Sequence, residues 1–149
     1  MKRISNFSNF FSDPNVVSTN EELNQENVRG ELIKIVGTGN VNSVDKFMDE
    51  NNIDVNYDSG MLIRLACKSG NLDLVKYFEE IGGDFSLRKN LSLKISLAHG
   101  KTEVAEYILE NILELSNDQI EDVEEYLQNS EATISEITAA TKLLNKYKK

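Results

Sequence analysis

The sequence contains no tryptophan, one proline (Pro14), one cysteine (Cys67) and one histidine (His99). A lone cysteine excludes an intramolecular disulfide and fits a reducing compartment. One His and one Cys leave no ligand spacing for zinc. A single proline leaves almost the whole chain open to helix. No apolar stretch approaches the roughly 18–20 residues of a membrane span. Lys2 and Arg3 are followed by interleaved Ser and Asn, which break up any signal-peptide core. These absences predict a cytoplasmic protein. Bases are scarce towards the C-terminus: none occurs between Lys101 and Lys142, and the net charge is −9. A phosphate backbone needs a basic face, so direct nucleic-acid binding is disfavoured. A basic partner, or an acidic surface imitating nucleic acid, fits the charge.

What the sequence does contain is a repeat. The 149 residues, 40% of them hydrophobic, suit one domain. Residues 31–47 superpose on residues 62–78 at a spacing of 31, matching Gly39/Gly70, Asn40/Asn71, Val44/Val75 and Phe47/Phe78. A third copy, Leu93 to Ile108, follows at a spacing of 30, with Gly100 at the turn. The tail Asn51–Asn56 recurs as Ile81–Ser86. Each unit reads as helix, glycine turn, helix, loop. In the second unit Ile63, Leu65, Ala66 and Cys67 give the first helix its apolar face, and Leu72, Leu74, Val75 and Phe78 give the second helix its own. Isolated helices under about 12–15 residues are marginal, so these must stack on neighbouring units.

The segment Leu65-Ala-Cys-Lys-Ser-Gly-Asn-Leu-Asp-Leu-Val-Lys-Tyr-Phe, followed by Gly82-Gly-Asp-Phe-Ser, resembles an ankyrin repeat. The resemblance covers about residues 29–115. It implies an all-α, helix-turn-helix solenoid with units at about 29–58, 60–89 and 91–115. The units are short for the family, and its Thr-Pro-Leu-His start is replaced by Met61-Leu-Ile-Arg64 and Ser92-Leu-Lys94. Short loops are therefore expected in place of projecting hairpins. Abbreviated units of this kind resemble those of large DNA viruses, some phages and intracellular bacteria, which would place the protein in a host cytoplasm.

A stack of three units needs its ends covered. Residues 116–149 read as a two-helix cap or a degenerate fourth unit. Ser116-Asn-Asp-Gln119 opens a helix over about 117–128 with Ile120, Val123 and Leu127 on one side. Thr133-Ile-Ser-Glu136 opens another, to about 147, with Ile134, Ile137, Leu144 and Tyr147 along one face. Residues 1–28 read as an N-terminal segment and capping helix, starting at Thr19-Asn-Glu-Glu22 and running over about 20–28. Ahead of it, Ile4, Phe7, Phe10 and Phe11 form an apolar stripe that either folds back on the stack or docks into a partner.

Catalytic chemistry has little to work with. Gly37-Thr-Gly39 lacks the Lys-Ser/Thr of a phosphate loop. His99 sits at a helix end before Gly100, and Cys67 reads as a buried small hydrophobe. Asp118, Glu121, Asp122, Glu124 and Glu125 lie on a predicted helix without a calcium loop, so they read as a solvated face. No enzyme activity, cofactor or metal is expected.

The resemblance implies recognition of another protein through loop tips and the exposed side of each first helix. Those positions are Tyr57, Asp58 and Ser59 in one loop and Arg88, Lys89 and Asn90 in the next. Lys68-Ser69 and Ala98-His99 lie at the helix ends. Lys34, Arg64 and Lys94 recur at spacings of 30 and would form a basic row, or would brace the stack from the family's structural-His position. The leading expectation is a monomeric, non-enzymatic effector or inhibitor that occupies a partner protein's surface. The alternatives are a nucleic-acid-mimicking inhibitor acting through the acidic helices, and a self-assembling structural protein using the Phe stripe.

Overall fold

A computed structural model describes residues 19–149, with side chains over 26–149. The fold is all-helical: α1 Thr19–Thr38, α2 Val41–Glu50, α3 Tyr57–Ser69, α4 Leu72–Glu80, α5 Leu87–Ala98, α6 Thr102–Asn111, α7 Asn117–Gln128 and α8 Ile134–Asn145. The helices form two rows. α1, α3, α5 and α7 pack side by side as one layer, and α2, α4, α6 and α8 form the other. The pair α7–α8 follows α5–α6 as α5–α6 follows α3–α4. Helices α3, α5 and α7 begin at residues 57, 87 and 117, so the period of 30 continues into the C-terminal region.

The repeat, spaced by 31 residues between the first two units and by 30 after that, fixes the core. Leu32, Ile63, Leu93 and Val123 occupy equivalent positions in the first row, and all four are buried. So are Val36, Cys67, Leu97 and Leu127 one turn later. In the second row Met48, Phe78 and Ile108 are sealed in the same way; Phe47, which the sequence superposes on Phe78, is half-buried, and Met48 takes the core position instead. Each unit therefore buries its apolar stripe against its neighbour's, which is why helices of 9–13 residues persist here.

The turns between rows are built from two side-chain types. Gly39, Gly70 and Gly100 have φ of 70–75°, a left-handed conformation that spares a Cβ clash. Asn40 and Asn71 then cap α2 and α4 through their side-chain oxygens, on Ser43 N–H and Leu74 N–H. Asn71 also reaches back a unit, its Nδ2 donating to the Gly39 carbonyl at 3.2 Å. At the next turn Lys101 replaces Asn and provides no side-chain cap; its methylenes lie over Gly70 instead.

The expected capping boxes form at both C-terminal helices. Ser116 and Gln119 exchange bonds at the start of α7, and Thr133 and Glu136 do so at α8. Ile120, Val123 and Leu127 are buried as expected. On α8 the buried set is Ala140, Leu143 and Leu144, with Ile137 and Tyr147 half-buried; Ile134, expected on that face, is 85% exposed. Ile134 is the first residue of its helix, directly after the N-cap Thr133.

The expected helix over 20–28 is not separate. α1 runs unbroken from Thr19 through Gly30 to Thr38, so the boundary drawn at residues 28/29 falls inside one helix. A glycine within a helix costs only about 1 kcal/mol, which the buried Leu32 and Val36 offset. The Thr19–Glu22 capping pattern and the Ile4/Phe7/Phe10/Phe11 stripe lie outside the described side chains.

Candidate protein-binding surface

The short loops expected between units are present, and their geometry is unusual. Asn51–Asn56 and Ile81–Ser86 contain only turns, with no strand among the described residues. Each is followed by three consecutive left-handed residues: Asp58, Ser59 and Gly60 (φ 51°, 53° and 88°), then Arg88, Lys89 and Asn90 (φ 53°, 54° and 62°). Five of these six carry a Cβ, and left-handed backbone costs such residues roughly 1–2 kcal/mol each.

Surrounding bonds hold the first of these turns in place. Arg64 donates to the carbonyls of Ser59 and Asp58, so its guanidinium clasps the first turn from below. Arg29 of the preceding unit pairs with Asp58 at 2.7 Å, and this bond raises the arginine's pKa. Burial, followed by the nearby charge of Arg88, lowers that of Arg64. Asn56 joins successive loops, accepting from Asp84 N–H at 2.7 Å and donating to the Gly82 carbonyl at 3.3 Å.

The predicted contact residues separate into groups. Asp58, Ser59, Arg88 and Lys89 are exposed on the two loops, and Tyr57 is half-buried beside them. Asn90, expected at a loop tip, is buried because its place in the repeat is that of Gly60, under the loop. Lys68 and His99 are exposed at the C-terminal ends of α3 and α5. Arg64 is engaged in the clasp. Lys94 is drawn inside, with a side chain only 7% exposed. Its Nζ lies 2.6 Å from Asp122 Oδ2 and 5.6 Å from the Tyr126 ring centroid.

No basic row forms. The turn glycines of the first two units are 31 residues apart, so Ile33, not Lys34, stands in the register of Arg64 and Lys94. Lys34 is one helix position away, exposed and 3.6 Å from Glu31. Ile33 is 41% exposed on the open side of α1.

The acidic helix is likewise not uniformly solvated. Asp118, Glu121 and Glu125 face water, whereas Asp122 is turned onto Lys94 and Glu124 onto Lys148 at 3.1 Å. The bond from Lys94 holds the Asp122 carboxyl below its ordinary range. No group of three His, Cys, Asp or Glu among the described residues is arranged to hold a metal. Cys67 is sealed in the core, and burial pushes its thiol up to about 12. No helix among the described residues is long and apolar enough to cross a membrane.

Two hollows open on the first-row side and meet at His99. One, about 400 Å³, lies across α1, α3 and α5 and is lined by Ile33, Val36, Gly37, Leu65, Lys68, Ser69, His99 and Lys101. The other, about 780 Å³, lies between α5 and the last helix pair, with Lys94, His99, Glu125, Tyr126, Glu131 and Glu136 among its walls. Sequence reasoning missed Ile33, Leu65 and Lys101. Ile33 and Leu65 resemble core positions in the helical pattern, and Lys101 stands where the first two units carry Asn40 and Asn71.

The chain resembles a protein described as an ankyrin repeat protein from Acanthamoeba polyphaga mimivirus. The two are 39% identical over 51 residues, which is 34% of this chain and 13% of that protein. The chain thus spans a small fraction of the relative it matches. No family model matches the sequence, and no solved structure matches it. The partial match and the stacked helix pairs together support ankyrin-like repeats.

Proposed function

We propose that the protein is a non-enzymatic binding module, working as a small effector or inhibitor that occupies a partner protein's surface. The observation that carries this reading is the open side of the first helix row. It sets a partly exposed Ile33, Leu65 and the helix ends Lys68 and His99 around one hollow, on helices whose opposite sides are locked in the core. Rigid helices presenting apolar and charged groups to water form a preorganised contact surface. The left-handed loops expose Asp58, Ser59, Arg88 and Lys89 at the N-terminal ends of α3 and α5. The likeness to an ankyrin repeat protein supports recognition of protein over small-molecule chemistry.

Position-specific photo-crosslinking in producing cells tests this. A crosslinker at Lys68 or His99 is expected to trap a discrete protein adduct, while one at Lys46 or Glu80, on the second row, is not. Equal adducts from both rows would defeat the proposal.

The nucleic-acid-mimic alternative loses support from the geometry, because two of its five carboxylates, Asp122 and Glu124, are engaged by lysines.

A further inference from the structure

The hollow across α1, α3 and α5 differs chemically from the rest of the molecule. Its floor is apolar, formed by Ile33, Val36 and Leu65. Its rim carries Lys68, which is exposed, and Lys101, whose stem lies over Gly70. Neither ammonium has an ion-pair partner among the described residues. Glu136, whose carboxylate accepts from Thr133 N–H at the start of α8, lies within electrostatic reach of Lys101 and His99 without forming an ion pair with either. A protein of net charge −9 therefore holds a local cationic rim around an exposed apolar floor. Beyond His99 the sign reverses, with Glu125 and Glu131 exposed and unpaired among the described residues.

We infer that this hollow binds a short acidic segment of a partner protein that carries one or two large apolar side chains. This inference rests on the reading of the first-row side as the binding surface. The apolar anchor covers Ile33 and Leu65, while flanking carboxylates meet Lys68 and Lys101. Glu125 and Glu131 repel an acidic continuation, so the anionic stretch ends at His99. Neighbouring helix axes lie about 8–10 Å apart. Crossing from α1 to α5 thus takes about 16–20 Å, or five to six extended residues at roughly 3.3 Å each. Like-charge juxtaposition is strongly penalised, so the two halves discriminate between segments as well as attracting them.

The test is selection from a phage-displayed random peptide library against the folded, full-length chain, followed by affinity measurement of the winners. The expected winners combine Leu, Ile, Phe or Trp with two or more Asp or Glu. Their affinity should fall as salt rises, and by roughly tenfold or more in the Ile33→Asp and Lys68→Glu/Lys101→Glu variants. Selection against the Lys68→Glu/Lys101→Glu protein should enrich basic flanks instead. Circular dichroism establishes that each variant is folded; Lys68→Glu alone, at an exposed site, serves if the double change unfolds the chain. Winners with basic or uncharged flanks that still need Ile33 would overturn the inference and leave the binding face standing. No enrichment, or winners indifferent to all three substitutions, would also overturn it. Self-association abolished by Ile33→Asp would assign the hollow to a second copy and overturn it as well.

Discussion

Lys94 Nζ lies 2.6 Å from Asp122 Oδ2, joining α5 to α7 across 28 residues of sequence. The two ends of the bond are unequal. The lysine side chain is 7% exposed and the aspartate 45%. Removing the acid strands a buried ammonium, whereas removing the base leaves a carboxylate that water can still reach. Asp122→Ala is therefore expected to destabilise by about 1–3 kcal/mol, and Lys94→Met by clearly less. Urea unfolding of the two variants checks the order; a larger loss for Lys94→Met would contradict it.

The same bond sets a pH dependence. Asp122 titrates below its ordinary range because Lys94 donates to it, and Glu136 does so because the Thr133 backbone donates to it. A depressed folded-state pKa means that the unfolded chain binds the proton first. The stabilisation is thus complete above the unfolded carboxylate value of about 4. It is lost as pH falls through the lower folded values. Unfolding midpoints measured downward from neutrality should hold until about pH 5 and then fall. Asp122→Asn together with Glu136→Gln should flatten that fall.

Asn71 has two functions that substitution can separate. Its oxygen caps α4, and its Nδ2 bonds the Gly39 carbonyl of the preceding unit. Asn71→Ala loses both and should cost about 1–2 kcal/mol. Asn71→Asp keeps the cap and loses only the link between units, so its midpoint should fall between those of wild type and Asn71→Ala in urea titrations.

The left-handed turn at Arg88–Asn90 reverses a familiar rule. Glycine in an ordinary helix costs about 1 kcal/mol. At Lys89, with φ 54°, glycine relieves left-handed strain of about 1–2 kcal/mol while adding unfolded-state entropy worth about 0.4–1. Lys89→Gly should therefore stabilise by roughly 0.5–1 kcal/mol, read as a rise in melting temperature. A fall would show that the turn is right-handed.

Cys67 offers a probe of the core that the protein already carries. Its thiol is sealed in the core that it shares with Val36 and Leu97 of the adjoining units, and burial pushes it up to about 12. Alkylation at pH 8 should be negligible in the native state and should appear along the urea transition. Rapid labelling without denaturant would contradict the packing of the second unit against its neighbours.

Much of the architecture is legible because it depends on local chemistry. The turn glycines, the Asn caps and the boxes at Ser116/Gln119 and Thr133/Glu136 act within four residues, so the sequence displays them directly. The period of 30 continues into α7, but Gly is replaced there by Ser130, which hides the fourth pair from a search for turn glycines. The left-handed loops are illegible for a different reason. Ser59, Arg88 and Lys89 are poor left-handed residues in isolation, and the bonds that hold the first turn, from Arg64 and from Arg29 of the preceding unit, follow no local sequence pattern. At the candidate surface, Lys68 and His99 follow from their helix ends. The basic row fails through a one-residue difference between spacings of 30 and 31, which rotates Lys34 by about 100° on its helix and exposes Ile33 instead.

The claim that the first-row side is the binding surface is tested most directly by backbone amide chemical-shift mapping of the labelled protein with a peptide selected from the library. Shifts are expected to concentrate at Ile33, Leu65, Lys68, Ser69 and His99. Shifts concentrated at Asn42, Asp45, Tyr77 and Glu80, along the second row, would contradict it.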